Sequence, residues 1–252
     1  MRAHFRTGEI RIDGRLDEAD WSRAEPASDF TQSRPNPGAT ATQSTEARVV
    51  YDRDALYIGV RLNDTRPDSI ARQMARRDFT DIYSDWIRIG IDSYFDRRTS
   101  FIFAVSPRGV QRDEFRYNDS ENDELWDAVW ASATSVDSAG WTAEVRIPLS
   151  QLRFSVGDRG VTKWGIQFGR GLARRQETSL LSPMPPQQPG VVSRYGDLVG
   201  LDSLTPPKRL EVLPYVSSQV SREPGDAANP YYDKSATSAR IGADVRYGLP
   251  AG

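Results

Sequence analysis

From Gly140 to Phe154 the chain reads GWTAEVRIPLSQLRF, with Trp141, Ala143, Val145 and Ile147 alternating with Thr142, Glu144 and Arg146. A period of two predicts a strand with one buried face and one polar face. Pro148 cannot donate to a ladder and ends the strand. Leu149, Leu152 and Phe154 follow on a turn that can fold back under the sheet. The same alternation recurs along the chain. Leu56, Ile58, Val60 and Leu62 share one face of a strand, and the turn at Asp52–Asp54 joins it to a strand around Arg48–Tyr51. Ile87, Ile89 and Ile91, then Phe101, Phe103 and Val105, predict strands over Asp85–Asp92 and Ser100–Ser106. Val110–Arg116 continues after the turn Pro107-Arg108-Gly109. Trp126–Val136 pairs with Trp141–Ile147 across Ser138-Ala139-Gly140, and Trp164–Gly169 adds a further strand.

Between these strands the pattern is less regular. Glu9–Ile12 reads as a short strand, Asp13-Gly14 as a turn, and the stretch to Trp21 as one helical turn. Residues 26–45 read as a surface loop with a short strand near Phe30. Residues 67–78, PDSIARQMARRD, are the best helix candidate, because Pro67 suits a first turn and Ile70 and Met74 lie one turn apart. Residues 118–125 form an acidic loop and 182–190 a Pro-rich one. Many short strands punctuated by turns predict an all-β, antiparallel sandwich of immunoglobulin-like or jelly-roll-like type.

The character changes near residue 205, which divides the chain into a sandwich (1–205) and a tail (206–252). Arg209–Ser221 is extended but interrupted by Pro214. In Ser238–Tyr247 the residues Ile241, Ala243, Val245 and Tyr247 face one way, and Arg240, Gly242, Asp244 and Arg246 the other. That pattern fits an outer-membrane barrel strand and an ordinary amphipathic hairpin equally. Two strands cannot close a barrel, so the first reading requires further sequence.

Composition narrows the function classes. Of 252 residues, 38% are hydrophobic and 27% charged, enough to build a core. With 33 Lys+Arg against 35 Asp+Glu, the formal net charge of -2 does not point to nucleic acid. Arg far outnumbers Lys, which favours bidentate ion pairs. The chain contains no Cys and 1 His, His4, so thiolate or His-based zinc sites and Ser-His-Asp chemistry have no donors. No apolar run approaches the roughly 20 residues of a membrane helix. The polar start after Met1 does not read as a signal peptide.

Several blocks then stand out together. IDGRLDEADW (12–21), YDRDALYIGVRLND (51–64) and GWTAEVRIPLSQLRF (140–154) resemble, in order, three blocks of the family 9 carbohydrate-binding modules. RRDFTDIYSDWIRIGIDSYFDRRTSFIFAVSPRGVQRDE (76–114), WDAVW (126–130), WGIQFGR (164–170) and LEVLPYV (210–216) resemble a narrower bacterial group. In that group a family-9-like domain is fused to a C-terminal outer-membrane β-barrel of unknown function. The resemblance implies a sandwich of two antiparallel sheets, placed in the bacterial cell envelope, periplasmic or outer-membrane associated. It also implies sugar held between aromatic side chains, and structural calcium as in some members.

Sugars stack their C–H faces on aromatic rings. The candidates are Trp126, Trp130, Trp86, Tyr83 and Tyr94, with Trp126 and Trp130 as the leading pair because an acidic loop precedes them. The same rings equally suit core packing, and Trp21, Trp141 and Trp164 are assigned to the core. For calcium the hard oxygen donors are Asp81 and Asp85 with Asp78, or Asp119, Glu121, Asp123 and Glu124. Both runs lack the spacing of a recognised calcium loop. The cluster Arg76, Arg77, Asp78, Asp92, Asp96, Arg97, Arg98, Arg112 and Asp113 is expected to be a structural ion-pair network at one edge of the sandwich. Three functions follow: a non-catalytic sugar-binding domain of the envelope, a scaffold docking on a membrane protein complex, and an accessory module of a glycoside hydrolase. No paired carboxylates span a cleft in the pattern, which disfavours an enzyme.

Overall fold

The computed structural model describes residues 1–78, 82–154, 162–185, 187–204, 210–222 and 235–247. It divides into two compact units, Met1–Pro206 and Pro207–Gly252. In chain order the strands of the first unit are β1 (His4–Phe5), β2 (Thr31–Arg34), β3 (Thr45–Tyr51), β4 (Ala55–Asn63), β5 (Trp86–Asp92), β6 (Ser100–Val105) and β7 (Gln111–Tyr117). They continue with β8 (Glu121–Asp123), β9 (Ala131–Asp137), β10 (Gly140–Pro148), β11 (Trp164–Leu172), β12 (Glu177–Leu180) and β13 (Gly196–Leu198). A single short helix, α1 (Ala19–Arg23), lies among the described residues.

The strands form two sheets. One is five-stranded in the order β1-β3-β4-β10-β9, and one is eight-stranded, β2-β12-β11-β5-β6-β7-β8 with β13 beside β11. Their inner faces are the apolar alternations of the sequence. Ile58, Val60, Ala143 and Val145 of the smaller sheet meet Ile87, Ile89, Phe103 and Phe168 of the larger in one core. Each of those eight side chains is fully buried. Leu149, Leu152 and Phe154 fold under the sheet edge after Pro148 and are 2%, 1% and 1% exposed, so the turn closes one side of the core. Burying such side chains contributes about 1.5–3 kcal/mol each, which makes the sandwich the stable arrangement of these strands.

The three family-9-like blocks meet at one buried carboxylate. Glu144 of β10 accepts the backbone N–H groups of Asp13 and Gly14 at 2.9 and 2.7 Å and the Trp21 indole N–H at 3.0 Å. Thr142, two residues earlier on the same polar face, donates its hydroxyl to the Gly14 carbonyl. Gly14 holds φ +87°, and a Cβ there would lie 2.7 Å from the Thr134 carbonyl carbon of β9, so only glycine fits. Trp21 packs with Ala55 and Tyr57 of the second block and with Val50 just before it. These motif residues thus clamp the N-terminal loop onto the outer face of the smaller sheet. Desolvation lifts the Glu144 carboxyl to about 7, against the three donors that favour its ionised form.

Two expectations fail locally. The helix over 67–78 does not form: Pro67–Ser69 makes one 3-10 turn and the chain then runs extended. Ile70 and Ala71 are buried while Met74 is 65% exposed, so the two spaced apolar residues never share a stripe. The carbonyl of Ala71 instead accepts the N–H of Asp85, just ahead of β5. Residues 9–12 form no strand either, and Ile10 is buried beside Trp21.

The second unit is an antiparallel ribbon of β14 (Leu210–Arg222) and β15 (Ser235–Tyr247). Val216 faces Ile241 across it and Val220 faces Thr237. Val216, Val220 and Ile241 are 75%, 63% and 84% exposed, so the apolar face of the ribbon is uncovered.

Candidate functional site

The outer face of the larger sheet is divided in two. Over one half lie the described residues of the segment 182–196. Ile102 of β6, Val192 and Tyr195 are buried together, and the Tyr195 ring occupies the space above Gly90 where a Cβ would stand. Asp119 fixes this segment by accepting the backbone N–H groups of Val191 and Ser193, each at 2.9 Å, and the Ser193 hydroxyl. Burial opposes ionisation of Asp119, but these donors outweigh it and hold its pKa below the ordinary value. Of the described part of the Pro-rich loop, Met184 packs against this cluster.

The other half is open, and sheet register explains its shape. One row across the pleat runs Leu180, Gly169, Arg88, Ala104, Arg112 through β12, β11, β5, β6 and β7. The next row runs Arg34, Thr178, Gly171, Trp86 through β2, β12, β11 and β5. Large and small side chains alternate along the first row, and in the second two small residues, Thr178 and Gly171, separate Arg34 from Trp86. Gly169, Gly171 and Ala104 leave gaps between Trp86, Arg88 and Arg112, and the result is a groove of about 340 Å³. A Cβ at Gly171 would meet only Trp86 atoms, at 3.9 Å and beyond, so that part of the floor is bare by composition and not by steric necessity.

The groove is basic. Its lining includes Arg34, Arg88 and Arg112 and, among the described residues, no carboxylate. Arg112 is held by Glu114 at 2.9 Å and Glu124 at 2.8 Å. Arg88 and Arg34 are exposed, and among the described residues neither has a carboxylate within 4.0 Å. Around Arg88 the surrounding protein displaces water. This desolvation, added to Arg112 and Arg116 and opposed by Glu114, lowers its pKa; its guanidinium still reaches solvent and stays charged at neutral pH.

The predicted aromatics separate. Trp86 is half-buried in the groove, and Tyr83, 61% exposed, precedes it at the same end of β5. Tyr94, 38% exposed, is in the turn at the other end of β5, away from both. Trp126 and Trp130 belong to the core side of the larger sheet, which corrects their assignment as the leading sugar platform. The Trp126 ring lies 5.1 Å from Phe101 and 5.9 Å from Phe103, and Trp130 lies 5.4 Å from Phe103. Trp130 is 7% exposed and donates its indole N–H to Asp113, so it offers no free face. Sequence reasoning missed Arg34, Arg88, Gly169 and Gly171. The polar positions of β5 and the glycines of WGIQFGRG were visible, but their alignment needed the strand order.

Of the predicted calcium donors Asp81 and Asp85, one is described. Asp81 lies outside the described residues. Asp85 is fully buried; one oxygen accepts the Ala173 N–H at 2.9 Å, and desolvation raises its pKa to about 6. Its charged neighbours include Arg170 and Arg174. Arg170 is itself buried and crosses the sandwich to the carbonyls of Ser44 and Asn63 at 3.0 and 2.8 Å. Asp85 is therefore enclosed in the fold, with its second oxygen unpartnered among the described residues. Asp78, Asp113 and Asp127 do bring oxygens within 4.8 Å of one another. The Arg77 guanidinium pairs with all three, at 3.4 Å from Asp78 and 2.9 Å from Asp127, and supplies the positive charge there. The expected ion-pair cluster is thus several separate knots: Arg77 with these aspartates, Arg112 with its glutamates, and Arg97 with Asp197. A larger pocket, about 590 Å³, lies on the smaller sheet. Four of its charges are paired, Arg61 with Asp137 at 2.6 Å and Arg48 with Glu46 at 2.9 Å, and its Trp21 is 2% exposed and offers no ring face.

A two-sheet sandwich with an open groove, one ring and polar arms on its floor has the architecture of a binding module. Residues 12–169 match the family described as carbohydrate family 9 binding domain-like, and the chain belongs to that family. Solved structures similar to it include a family 9 carbohydrate-binding module from Caldicellulosiruptor kristjanssonii in complex with cellotriose. That module is 18% identical, with 83% of this chain and 96% of that chain covered at a TM-score of 0.55. A glucose complex of a family 9 module from the same organism is 19% identical, with 83% and 97% covered and a TM-score of 0.57. A candidate carbohydrate-binding protein from Bacteroides uniformis is 10% identical, with 79% and 98% covered and a TM-score of 0.63. At such identities the likeness is one of fold. Among curated proteins there is no significant match.

Proposed function

We propose that this chain is a non-catalytic carbohydrate-binding domain whose ligand lies in the groove over Trp86. The observation that carries the reading is the register of the two rows: a half-buried indole beside bare glycine floor, with Arg88 on the same strand, Arg112 two strands away and Arg34 three strands away on the other side. A sugar ring laid against the indole gains dispersion and area burial, while planar arginine forks grip its oxygens. Family membership and the sugar complexes of the solved relatives support the class of ligand.

A glycan array probed with the full chain, followed by titration calorimetry on the hits, tests this. Trp86→Ala and Gly171→Val are expected to weaken binding at least about tenfold, the second by filling the floor. Trp126→Phe is expected to leave affinity unchanged. Unaltered binding by both groove variants refutes the site.

A second reading concerns location. The exposed apolar face of the β14–β15 ribbon supports an envelope role in which this unit joins a membrane barrel or a membrane protein complex. It predicts that the full chain co-floats with lipid vesicles and that Ile241→Asp with Val216→Asp abolishes flotation. Flotation unaffected by the double change removes the ribbon from the interaction.

A further inference from the structure

The charge of the groove narrows the ligand. The chain as a whole carries a formal net charge of -2, yet the groove lining contains Arg34, Arg88 and Arg112 and, among the described residues, no acid. A surface built only to grip neutral hydroxyls needs acceptors as well as donors, because each hydroxyl both gives and takes a hydrogen bond. Guanidinium groups are donors only. Thr178 supplies the one side-chain acceptor of the lining outside the backbone, and its hydroxyl already accepts from Arg34 at 3.3 Å.

The cations are also placed on both sides of the ring. Arg88 and Arg112 stand in one row with Ala104 between them, so their backbones are about 10 Å apart. Arg34 approaches from the opposite side, three strands from Trp86 in the next row. Arg112 spends its charge on Glu114 and Glu124, whereas Arg34 and Arg88 reach solvent with no carboxylate partner among the described residues. Two unpaired guanidinium groups flanking an indole match a ring that carries negative charge at its edge.

We infer that the Trp86 groove selects an anionic saccharide, a sugar bearing a carboxylate, sulfate or phosphate group, through Arg88 and Arg34. This rests on the groove being the saccharide site. The indole takes the ring face, and the arginine forks take the anionic oxygens in bidentate fashion. A neutral sugar of the same shape leaves both cations without a partner and binds more weakly.

The experiment titrates the full chain with five probes: oligogalacturonate, its fully methyl-esterified form, sulfated cellotetraose, neutral cellotetraose, and sodium sulfate or phosphate alone. Arg88→Gln, Arg34→Gln and Trp86→Ala are measured beside the wild type, with circular dichroism confirming that each folds. Expected is binding of an acidic oligosaccharide at least about tenfold tighter than its neutral counterpart. That preference should fall about tenfold in Arg88→Gln and weaken when salt rises from 50 to 500 mM. The carboxylate and sulfate arms tell which anion is preferred. Equal affinity for charged and neutral probes, with Trp86→Ala still disruptive, overturns the anion selectivity and leaves the groove as a neutral-sugar site. Binding of every probe untouched by Trp86→Ala overturns the groove itself. Displacement of the sugar by millimolar inorganic sulfate or phosphate, with equal affinity for the bare ion, overturns a saccharide-specific site.

Discussion

Replacing Glu144 by Gln tests how the N-terminal loop is held. The wild-type carboxylate is fully buried and accepts three N–H groups, two at one oxygen and one at the other. An amide has one acceptor oxygen. If that oxygen keeps Asp13 and Gly14, the NH₂ group faces the Trp21 N–H, and a buried donor goes unmet at a cost of about 1–3 kcal/mol. A second effect opposes this one. Burial raises the Glu144 pKa from 4.5 to about 7. Between those values the folded state holds a proton that the unfolded state has released, so stability falls as pH rises through the folded pKa. From pH 5 to pH 8 this one group removes about 2.5 kcal/mol from the wild type. Gln has no such titration. The variant is therefore expected to be less stable at pH 5, and the gap should close or reverse by pH 8. Urea unfolding of both proteins, followed by near-ultraviolet circular dichroism at pH 5, 6, 7 and 8, reads the difference and cancels every group the two share. A gap that stays constant across that range would refute the reasoning, because Glu144 would then be ionised throughout.

Other outcomes follow from the same contacts. Trp21→Phe should destabilise more than Trp141→Phe in urea unfolding, because the Trp21 N–H donates to Glu144 while the buried Trp141 N–H has no partner in the fold. Gly14→Ala should cost at least about 1–3 kcal/mol in the same assay, since it forces a side chain into positive φ against the β9 backbone. Trp130→Ala should cost about 3–5 kcal/mol by cavity formation, whereas Trp86→Ala should change the melting temperature by only a few degrees while removing sugar affinity. Asp64 is buried, which favours its neutral form, but its pair with Arg174 at 2.6 Å and the Arg66 N–H outweigh burial and lower its pKa. Its contribution is present above pH 3.8 and lost as pH falls through the lower folded value; Asp64→Asn should make acid unfolding shallower.

Much of the sandwich was legible because alternation is a local signal. Ile87, Ile89 and Ile91 must point one way once the backbone is extended, whatever packs on them. The family blocks were legible as blocks, although their reason was not. Asp13, Gly14 and Trp21 carry no mark that says they answer to Glu144, 123 residues or more away. The helix over 67–78 failed because two apolar residues at helical spacing are weaker evidence than the edge of a sheet waiting to be lined.

The candidate site shows the same division. Alternation along the chain was enough to predict two antiparallel sheets and a buried face for each strand, because side-chain direction in a strand depends only on parity. It could not place Trp86 in a groove or Trp130 in the core. Which tryptophan keeps an open face depends on what lies across the pleat, and that is settled by strand order. Gly171 of β11 falls beside Trp86 and Ala104 of β6 beside Arg88, while Phe103 closes over Trp130. Those neighbours are far apart along the chain, and only the paired sheet brings a ring, a bare floor and two unpaired arginines into one groove.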